Sequence, residues 1–241
     1  MAAAGPGAAG PAAGPGAAVP GATGPPDGPD PRGTGPLYPV GLILAGRPVL
    51  VVGGGTVAAQ KAAELLHCGA TVTVVAPEID PALRADDRVT CEARPYRSGE
   101  VAGYRFAVAA TDDPAVNQAV YDDGEAAGVW VNAADDPARC SATLPSRVRR
   151  GSLLVTVSTQ GRSPALAVHL RRRLEQEIGP EYALLLDLLA EARDRIRAAG
   201  GSTEGLDWQG AIESGILEEI RADRIHGAEE LLRTCLPSSS A

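Results

Sequence analysis

The chain has 241 residues and a formal net charge of −8. This acidic balance argues against nucleic acid as the main partner, because a phosphate backbone attracts clustered Lys and Arg. No apolar run approaches the roughly 18 residues of a membrane span, and the N-terminus lacks the charged and apolar regions of a signal peptide. The sequence therefore predicts a cytoplasmic protein without a membrane anchor.

Strands alternate with helices in the first half of the chain. An apolar run at Val49–Val52 predicts the first strand, and a glycine-rich turn and a helix to His67 follow it. Further strands are predicted at residues 71–75, 89–93, 104–110 and 129–132. A helix is predicted at 114–127, with Asp112 or Asp113 as its N-cap. This alternation predicts a Rossmann-type α/β fold with a parallel sheet.

The pattern changes beyond Asp136. Residues 141–144 and 153–158 are predicted as two strands with no helix between them. Two long helices, two shorter helices and a disordered Ala/Gly/Pro-rich tail complete the prediction. The expected parts are the tail (1–36), a Rossmann domain (37–140), a strand-containing segment (141–162) and a helical C-terminal domain (163–241), with the helices at 164–178, 181–199 and within 209–236.

Gly53, Gly55 and Ala58 form the pattern G-x-G-x-x-A between the first strand and its helix. Gly53 permits a tight turn, Gly55 lets a pyrophosphate approach the backbone, and Ala58 lets the helix pack closely on the strand. The free N–H groups at the start of the helix favour a negative ligand. The pattern predicts a dinucleotide site, and a glycine-rich turn for a different ligand is the alternative.

Other predicted loops converge on the same crevice, beyond the carboxyl ends of the strands. The second strand ends in Ala76-Pro77-Glu78 without the usual acid, so Glu78 or backbone groups are candidates to hold a ribose. No Arg there would meet a 2′-phosphate, which favours NAD over NADP. Thr111, after the fourth strand, is a candidate to hydrogen-bond ligand oxygens or to belong to a simple helix cap. Asn132, where the chain leaves the fifth strand, is a further candidate to contact the cofactor.

Asp135 and Asp136 follow the fifth strand into this crevice. A carboxylate that faces a nicotinamide can accept a proton while hydride leaves a substrate. A surface Asp-Pro turn is the alternative for this pair.

An arginine excess follows in an otherwise acidic chain. Bidentate pairing would let these side chains bind a small molecule with several carboxylates. The alternative is solvent exposure, which is the stronger interpretation for residues 171–173 and for Arg149 and Arg150 in a predicted turn. The seven arginines are Arg147, Arg149, Arg150, Arg162, Arg171, Arg172 and Arg173.

The three histidines and four cysteines lack metal-ligand spacing, so no metal site is predicted.

Several segments together resemble the precorrin-2 dehydrogenase/sirohydrochlorin ferrochelatase family, the N-terminal module of siroheme synthase. The similarity extends over roughly residues 37–200. Gln160 departs from the family, which commonly has a second Gly there. The segments that carry the resemblance are Val51–Ala58, Val74–Pro77, Ala109–Asp113, Val131-Asn132 and Leu154–Pro164.

The resemblance implies an oxidoreductase that uses NAD to convert precorrin-2 to sirohydrochlorin in siroheme (porphyrin) biosynthesis. It leaves open whether Fe²⁺ or Co²⁺ is then inserted. It implies a homodimer in which the middle segment (141–162) and the C-terminal segment pair across two chains. Asp135 would match the acid that the family uses in dehydrogenation and, where present, in chelation. Cofactor contacts would fall on Thr56, Val57, Pro77 and Glu78.

The family's substrate carries eight carboxylates, which gives the arginine excess a purpose. Arg149, Arg150, Arg162 and Ser163 are therefore expected to contact the substrate. The resemblance also places Thr159 where some members carry a phosphorylated serine, and it assigns methylation of uroporphyrinogen to another protein. The alternative function is a non-catalytic NAD-sensing regulatory domain, which would have an acid at the end of the second strand and would need neither Asp135 nor the arginines.

Overall fold

The computed structural model describes residues 35–236. Most of the tail predicted at residues 1–36 therefore lies outside the described residues, as does the end of the chain after Leu236. Residues 35–41 belong to a separate N-terminal unit. Each of residues 35–41 is exposed, and none of them is in a helix or strand.

Five parallel strands form the central sheet in the order β3-β2-β1-β4-β5. All of β4 and all but the first residue of β1 are buried, as expected for a sheet that is covered on both faces. The predicted Rossmann-type fold is confirmed. The strands are β1 (Pro48–Val52), β2 (Thr71–Ala76), β3 (Val89–Ala93), β4 (Phe106–Ala109) and β5 (Trp130–Ala133).

Helices cover both faces of this sheet, and alternate residues of β1 serve the two layers. Val49 and Val51 share an apolar cluster with α1 (Thr56–His67) and the short α2 (Pro81–Arg84). Leu50 and Val52 share the opposite cluster with α3 (Pro114–Ala127). The sheet therefore lies between two apolar layers. Loops enter and leave it at the amino and carboxyl ends of the strands, which are called its amino edge and carboxyl edge below.

The helix α3 begins and ends at the predicted residues. Asp113, rather than Asp112, is its N-cap, because the Asp113 carboxylate accepts hydrogen bonds from the N–H groups of Ala115 and Val116 at 2.8 and 3.4 Å. At the other end Gly128 has a left-handed φ of 68°, which glycine adopts without steric cost.

The strand predicted at 141–144 is wrong. The N–H groups of Ser141 and Ala142 instead donate to the carbonyl of Val131 at 2.9 and 3.0 Å. The Ser141 hydroxyl in turn accepts from the Val131 N–H. This segment therefore covers the free edge of β5, where the backbone groups would otherwise lack partners.

The second sheet is an antiparallel hairpin of β6 (Ser146–Arg150) and β7 (Leu153–Val157). Of the turn predicted at residues 149–152, the first half is therefore also wrong, because Arg149 and Arg150 belong to β6. Gly151, with a left-handed φ of 55°, begins the two-residue turn instead. Alternation explains the error, because Val148 is buried while its arginine neighbours in β6 give the strand a polar composition.

The C-terminal region is helical, as predicted. Its first helix, α4 (Pro164–Glu177), begins behind Ser163, whose hydroxyl accepts from the Leu166 N–H at 3.2 Å. Three short helices occur where two were predicted, because Gly215, with a left-handed φ of 94°, separates the first two. The others are α5 (Glu181–Ala198), α6 (Trp208–Glu213), α7 (Ile216–Arg221) and α8 (Ile225–Cys235).

Helices α5 to α8 bury an apolar cluster of their own, with Leu188, Ile216 and Leu232 among its buried members. The sheet and the helical region thus have separate cores. Within residues 35–236, none of the helices has the length and apolar content that a membrane span requires.

Candidate active site

The candidate site lies at the carboxyl edge of the sheet, between β1 and β4, where the strand order reverses. The register pairs Val52 with Ala109, and Ala109 with Ala133, so β1, β4 and β5 end at the same level. The loops after these strands leave one edge of the sheet. Asp135 therefore lies on the same edge as Gly53, with two strand spacings, about 10 Å, between their strands.

The loop after β1 has no space for side chains at its first two positions. A Cβ atom on Gly53 would lie 2.1 Å from the Ala110 carbonyl oxygen, and one on Gly54 would lie 1.9 Å from the Glu78 carbonyl oxygen. Gly53 also has a φ of 127°, which side-chain-bearing residues rarely adopt. The glycine loop is thus packed between the exits of β4 and β2.

Gly55 differs from its two neighbours, because a Cβ atom there would meet no described atom within 4 Å. It is the N-cap of α1, and no side chain of the described residues caps the helix. Thr56 and Val57 are exposed in the first turn, which contains no acidic residue. The open space and the unpaired N–H groups of this turn fit a diphosphate.

Pro77 and Glu78 follow β2 and are both exposed. The N–H of Asp80 donates to the Gly54 carbonyl at 2.7 Å, which ties this stretch to the glycine loop. Both predicted ribose-side residues therefore border the loop that fits the diphosphate. Their contact with a cofactor stays a prediction.

Thr111 follows β4 and is fixed by local hydrogen bonds. Its hydroxyl lies 2.9 Å from Oδ1 of Asn117, and the Asn117 amide donates to the Thr111 carbonyl at 2.9 Å. The hydroxyl also accepts from the Asp113 N–H. These bonds fix the turn between β4 and α3, and the predicted cofactor contact of Thr111 stays a prediction.

Asn132 is a buried polar residue of β5. Its Nδ2 donates to the Ala142 carbonyl at 2.9 Å and lies 3.5 Å from the sulfur of Cys140. The structure thus gives this amide a part in holding the segment that covers β5. The cofactor contact predicted for Asn132 also stays a prediction.

Asp135 is exposed and has a left-handed φ of 59°. No hydrogen bond or ion pair of its carboxylate is found within residues 35–236. Left-handed backbone costs a non-glycine residue roughly 1 kcal/mol, and such conformations cluster at functional sites. Asp135 thus presents a carboxylate with no protein partner in the described structure at the edge where the glycine loop lies.

Asp136 differs from its neighbour. Its carboxylate accepts from the Ala138 N–H at 3.2 Å, at the start of a short 3-10 helix (Pro137–Arg139), and forms an ion pair with Arg139. Of the two predicted acids, only Asp135 is therefore left for chemistry.

Three further residues surround the Asp135 loop, and the sequence did not indicate them. Nε of Arg139 donates to Oε1 of Gln118 in α3 at 2.6 Å. The Cys140 thiol contacts backbone carbonyls of the loop, and burial raises the pKa of this thiol. These contacts join residues that are distant in sequence or that have no recognised motif, so sequence patterns carry no sign of them.

The arginines have several roles. Arg150 donates from Nε to the Ile178 carbonyl at 2.9 Å and from Nη2 to the Glu175 carbonyl at 3.0 Å, which caps the end of α4. Arg147 pairs with Glu64 of α1 at 2.8 Å. On α4, Arg173 is exposed and pairs with Glu177, which agrees with the alternative of solvent exposure. Arg171 is half-buried and pairs with Glu175.

Arg149 and Arg162 differ from these, because no ion pair of either is found in the part of the chain that the structure describes. Arg149 is half-buried in β6, and Arg162 is exposed just before α4. Ser163 is the N-cap of α4. The substrate contacts of these residues stay predictions.

Two family models match successive stretches of this chain. Residues 40–146 match the NAD(P)-binding family model, and residues 150–177 match the model of the sirohaem biosynthesis protein central region. The siroheme synthase of Nitrosococcus oceani is 39% identical over 203 residues, which cover 82% of this chain and 43% of that protein. Siroheme synthase 2 of Aeromonas hydrophila is 38% identical over 193 residues, which cover 78% of this chain and 41% of that protein.

The two family models and these relatives together show that the chain is similar to the N-terminal module of siroheme synthase. It spans about two fifths of the length of these siroheme synthases. The solved structure of SirC, a precorrin-2 dehydrogenase, matches the module with a TM-score of 0.60 and 28% identity, over 83% of this chain and 98% of SirC.

Proposed function

We propose that this chain catalyses the NAD-dependent dehydrogenation of precorrin-2 to sirohydrochlorin in siroheme biosynthesis. The observation that carries the proposal is that the Asp135 carboxylate, with no protein partner in residues 35–236, leaves the same sheet edge as the glycine loop. The match to a precorrin-2 dehydrogenase over nearly its whole length supports the choice of substrate. The NAD(P)-binding match over residues 40–146 supports the choice of cofactor.

NAD supplies a hydride acceptor when it is bound. The chain contributes the backbone N–H groups at Thr56 and Val57, which would bind the diphosphate, and Pro77 and Glu78 would border a ribose. Asp135 would take up the proton that the substrate loses with its hydride. An exposed carboxylate with no protein partner among residues 35–236 leaves its oxygens open to receive that proton.

The carboxylates of the substrate need cationic partners. Arg149 and Arg162 are the best candidates, because neither guanidinium has an ion pair among the described residues. Arg150 and Ser163 are weaker candidates, because both already cap α4. A bidentate Arg–carboxylate pair orients a substrate as well as binding it.

We further propose a homodimer in which residues 141–162 act as dimerisation strands. The outer edges of this hairpin are unpaired among the described strands, and such edges can pair with another chain. Apolar side chains are exposed on and around it: Leu144, Leu154, Leu166 and Val168. Leu154→Glu is expected to convert the dimer to a monomer in sedimentation velocity, and an unchanged dimer would contradict this assignment.

A cytoplasmic location stays a prediction.

The function is tested by anaerobic incubation of precorrin-2 with NAD. The parent protein should release NADH and sirohydrochlorin, and Asp135→Ala should abolish both while NAD binding survives. Asp87→Ala is the matched control, because Asp87 is an exposed acid that precedes β3 and so lies at the opposite edge of the sheet. NAD binding without turnover in the parent would favour the regulatory alternative. A parallel reaction with sirohydrochlorin and Fe²⁺ or Co²⁺ tests the chelation that the resemblance leaves open.

A further inference from the structure

The loop that carries Asp135 is held from both sides by groups other than Asp135 itself. The sulfur of Cys140 lies 3.4 Å from the Ala133 carbonyl oxygen and 3.2 Å from the Asp136 carbonyl oxygen. Burial raises the pKa of this thiol, so it stays protonated and able to donate. One thiol thus contacts the backbone immediately before and immediately after the two residues Ala134 and Asp135.

A second anchor joins the loop to α3. The guanidinium of Arg139 pairs with the Asp136 carboxylate, and its Nε donates to Oε1 of Gln118 at 2.6 Å. The Gln118 amide is itself oriented, because its Nε2 donates to Asp122 one helical turn later at 2.7 Å. The Arg139 and Asp136 side chains are only 28% and 27% exposed, so solvent screens their ion pair less than a pair on the open surface.

The backbone of Asp135 needs this support. A left-handed φ costs a non-glycine residue roughly 1 kcal/mol, and such a conformation persists where the surrounding contacts fix it. The carboxylate cannot supply that support, because no partner for it is found in residues 35–236. We propose that Arg139 is a positioning residue: together with Gln118 and Cys140 it clamps the loop after β5 and holds the Asp135 carboxylate in the crevice.

This inference rests on the proposed function, because it assigns Arg139 a role through Asp135. The test is steady-state kinetics of Arg139→Ala with precorrin-2 and NAD. We expect kcat to fall about tenfold to a hundredfold, as for an ångström-scale misplacement of a reacting group. The KM for NAD should stay near the parental value, because no hydrogen bond or ion pair joins the glycine loop to this clamp in the described structure.

Two further variants separate positioning from general loss of structure. Arg139→Lys should recover part of kcat, because a lysine can pair with Asp136 but lacks the fork that also reaches Gln118. Adding Gln118→Leu to Arg139→Ala should lower kcat little further, because both changes break the same contact between Arg139 and Gln118. Arg233→Ala is the matched control: it removes a 3.0 Å ion pair with Glu229 in α8 and should keep the parental kcat.

The clamp can also be measured without turnover. Cys140 should react faster with N-ethylmaleimide in Arg139→Ala than in the parent, as followed by peptide mass spectrometry. Cys91, which is half-buried in β3, should react at the parental rate in both proteins. This measurement needs no substrate, so it reports on the clamp even if the assigned reaction is wrong.

The outcomes distinguish the two proposals. If the parent protein turns over precorrin-2 and Arg139→Ala keeps the parental kcat, the positioning role is wrong and the proposed function still stands. A lower kcat that is matched by an equal rise in the KM for NAD, or that Arg139→Lys does not improve, also overturns it. A parent without turnover overturns the proposed function and with it the catalytic meaning of the clamp.

Discussion

The loops after β1 and β5 leave the same edge of the sheet but use different parts of the chain. The loop after β1 works through its backbone: Gly53 and Gly54 have no space for a side chain, and Gly55 leaves space for a ligand. The loop after β5 works through one side chain, that of Asp135, on a backbone conformation that favours glycine. In the proposed function, cofactor binding therefore depends on the absence of side chains in the first loop, and the reaction depends on the Asp135 carboxylate of the second loop.

The strongest test of this comparison is to give the second loop a glycine. Asp135→Gly should lower kcat by roughly a hundredfold to ten-thousandfold, the usual contribution of a general base. Stability should stay the same or rise by up to about 1 kcal/mol, because glycine removes the cost of the left-handed backbone. Dehydrogenase assays and urea unfolding measure the two quantities. A loss of stability would mean that the aspartate side chain itself holds the loop.

The reverse test adds a methyl group to the first loop. Gly53→Ala should destabilise the protein by about 2–4 kcal/mol, since its Cβ atom would overlap the Ala110 carbonyl and φ is unfavourable. Gly55→Ala is the matched variant, because its Cβ atom would meet open space. It should keep the parental melting temperature but weaken NAD binding by about tenfold or more, equivalent to at least 1.4 kcal/mol.

Calorimetric NAD titration and thermal unfolding separate these two glycine variants. The comparison fails if Gly55→Ala binds NAD like the parent, since Gly55 would then not face the diphosphate. It also fails if the two variants unfold at the same temperature.

A smaller effect is expected at Arg150, which the sequence assigned to substrate and the structure assigns to the end of α4. Arg150→Met should lower the free energy of unfolding by about 1–2 kcal/mol, because terminal carbonyls of α4 lose their donors. Arg173→Met, which removes only a surface ion pair, should change it by about 0.5 kcal/mol or less. Urea unfolding measures both. A large rise in the KM for precorrin-2 with unchanged stability would restore the substrate role of Arg150.

The smallest effect is expected for residues 96–99, a loop that is held by hydrogen bonds to α3 outside the crevice. Asp123 of α3 accepts from the Gly99 N–H at 2.7 Å and from Tyr96 and Ser98. The hydrogen bond from the Gly99 N–H has the largest effect and, together with the bonds from the two hydroxyls, holds the pKa of Asp123 below its ordinary value. The stabilisation is therefore complete above the ordinary pKa of about 3.9 and is lost as the pH falls through the lower folded-state value.

Asp123→Asn should therefore be less stable than the parent at neutral pH, and the difference should shrink below a pH of about 4. Thermal unfolding across this range measures the change. A difference that stays constant with pH would show that the charge of Asp123 contributes nothing.

The sequence by itself determined the sheet, most helix boundaries and the glycine loop. These features depend on neighbours within a few residues: an apolar run before three glycines, or Asp113 and Ser163 directly before a proline that starts a helix. Local hydrogen bonds and sterics decide such patterns, so they can be read without the fold. The sequence offered Asp135 and Asp136 only as a pair, and the choice of Asp135 came from the family resemblance.

Only the tertiary structure decided where β6 lies and what Arg150, Asn132 and Thr111 contact. It also gave a reason for the departure at Gln160, where φ is 54°, a conformation that suits the glycine common in the family. The clamp at Arg139 belongs to the same class, because its partner Gln118 lies 21 positions earlier in the chain. A side chain's partner across the fold is set by packing, and sequence spacing carries no record of packing.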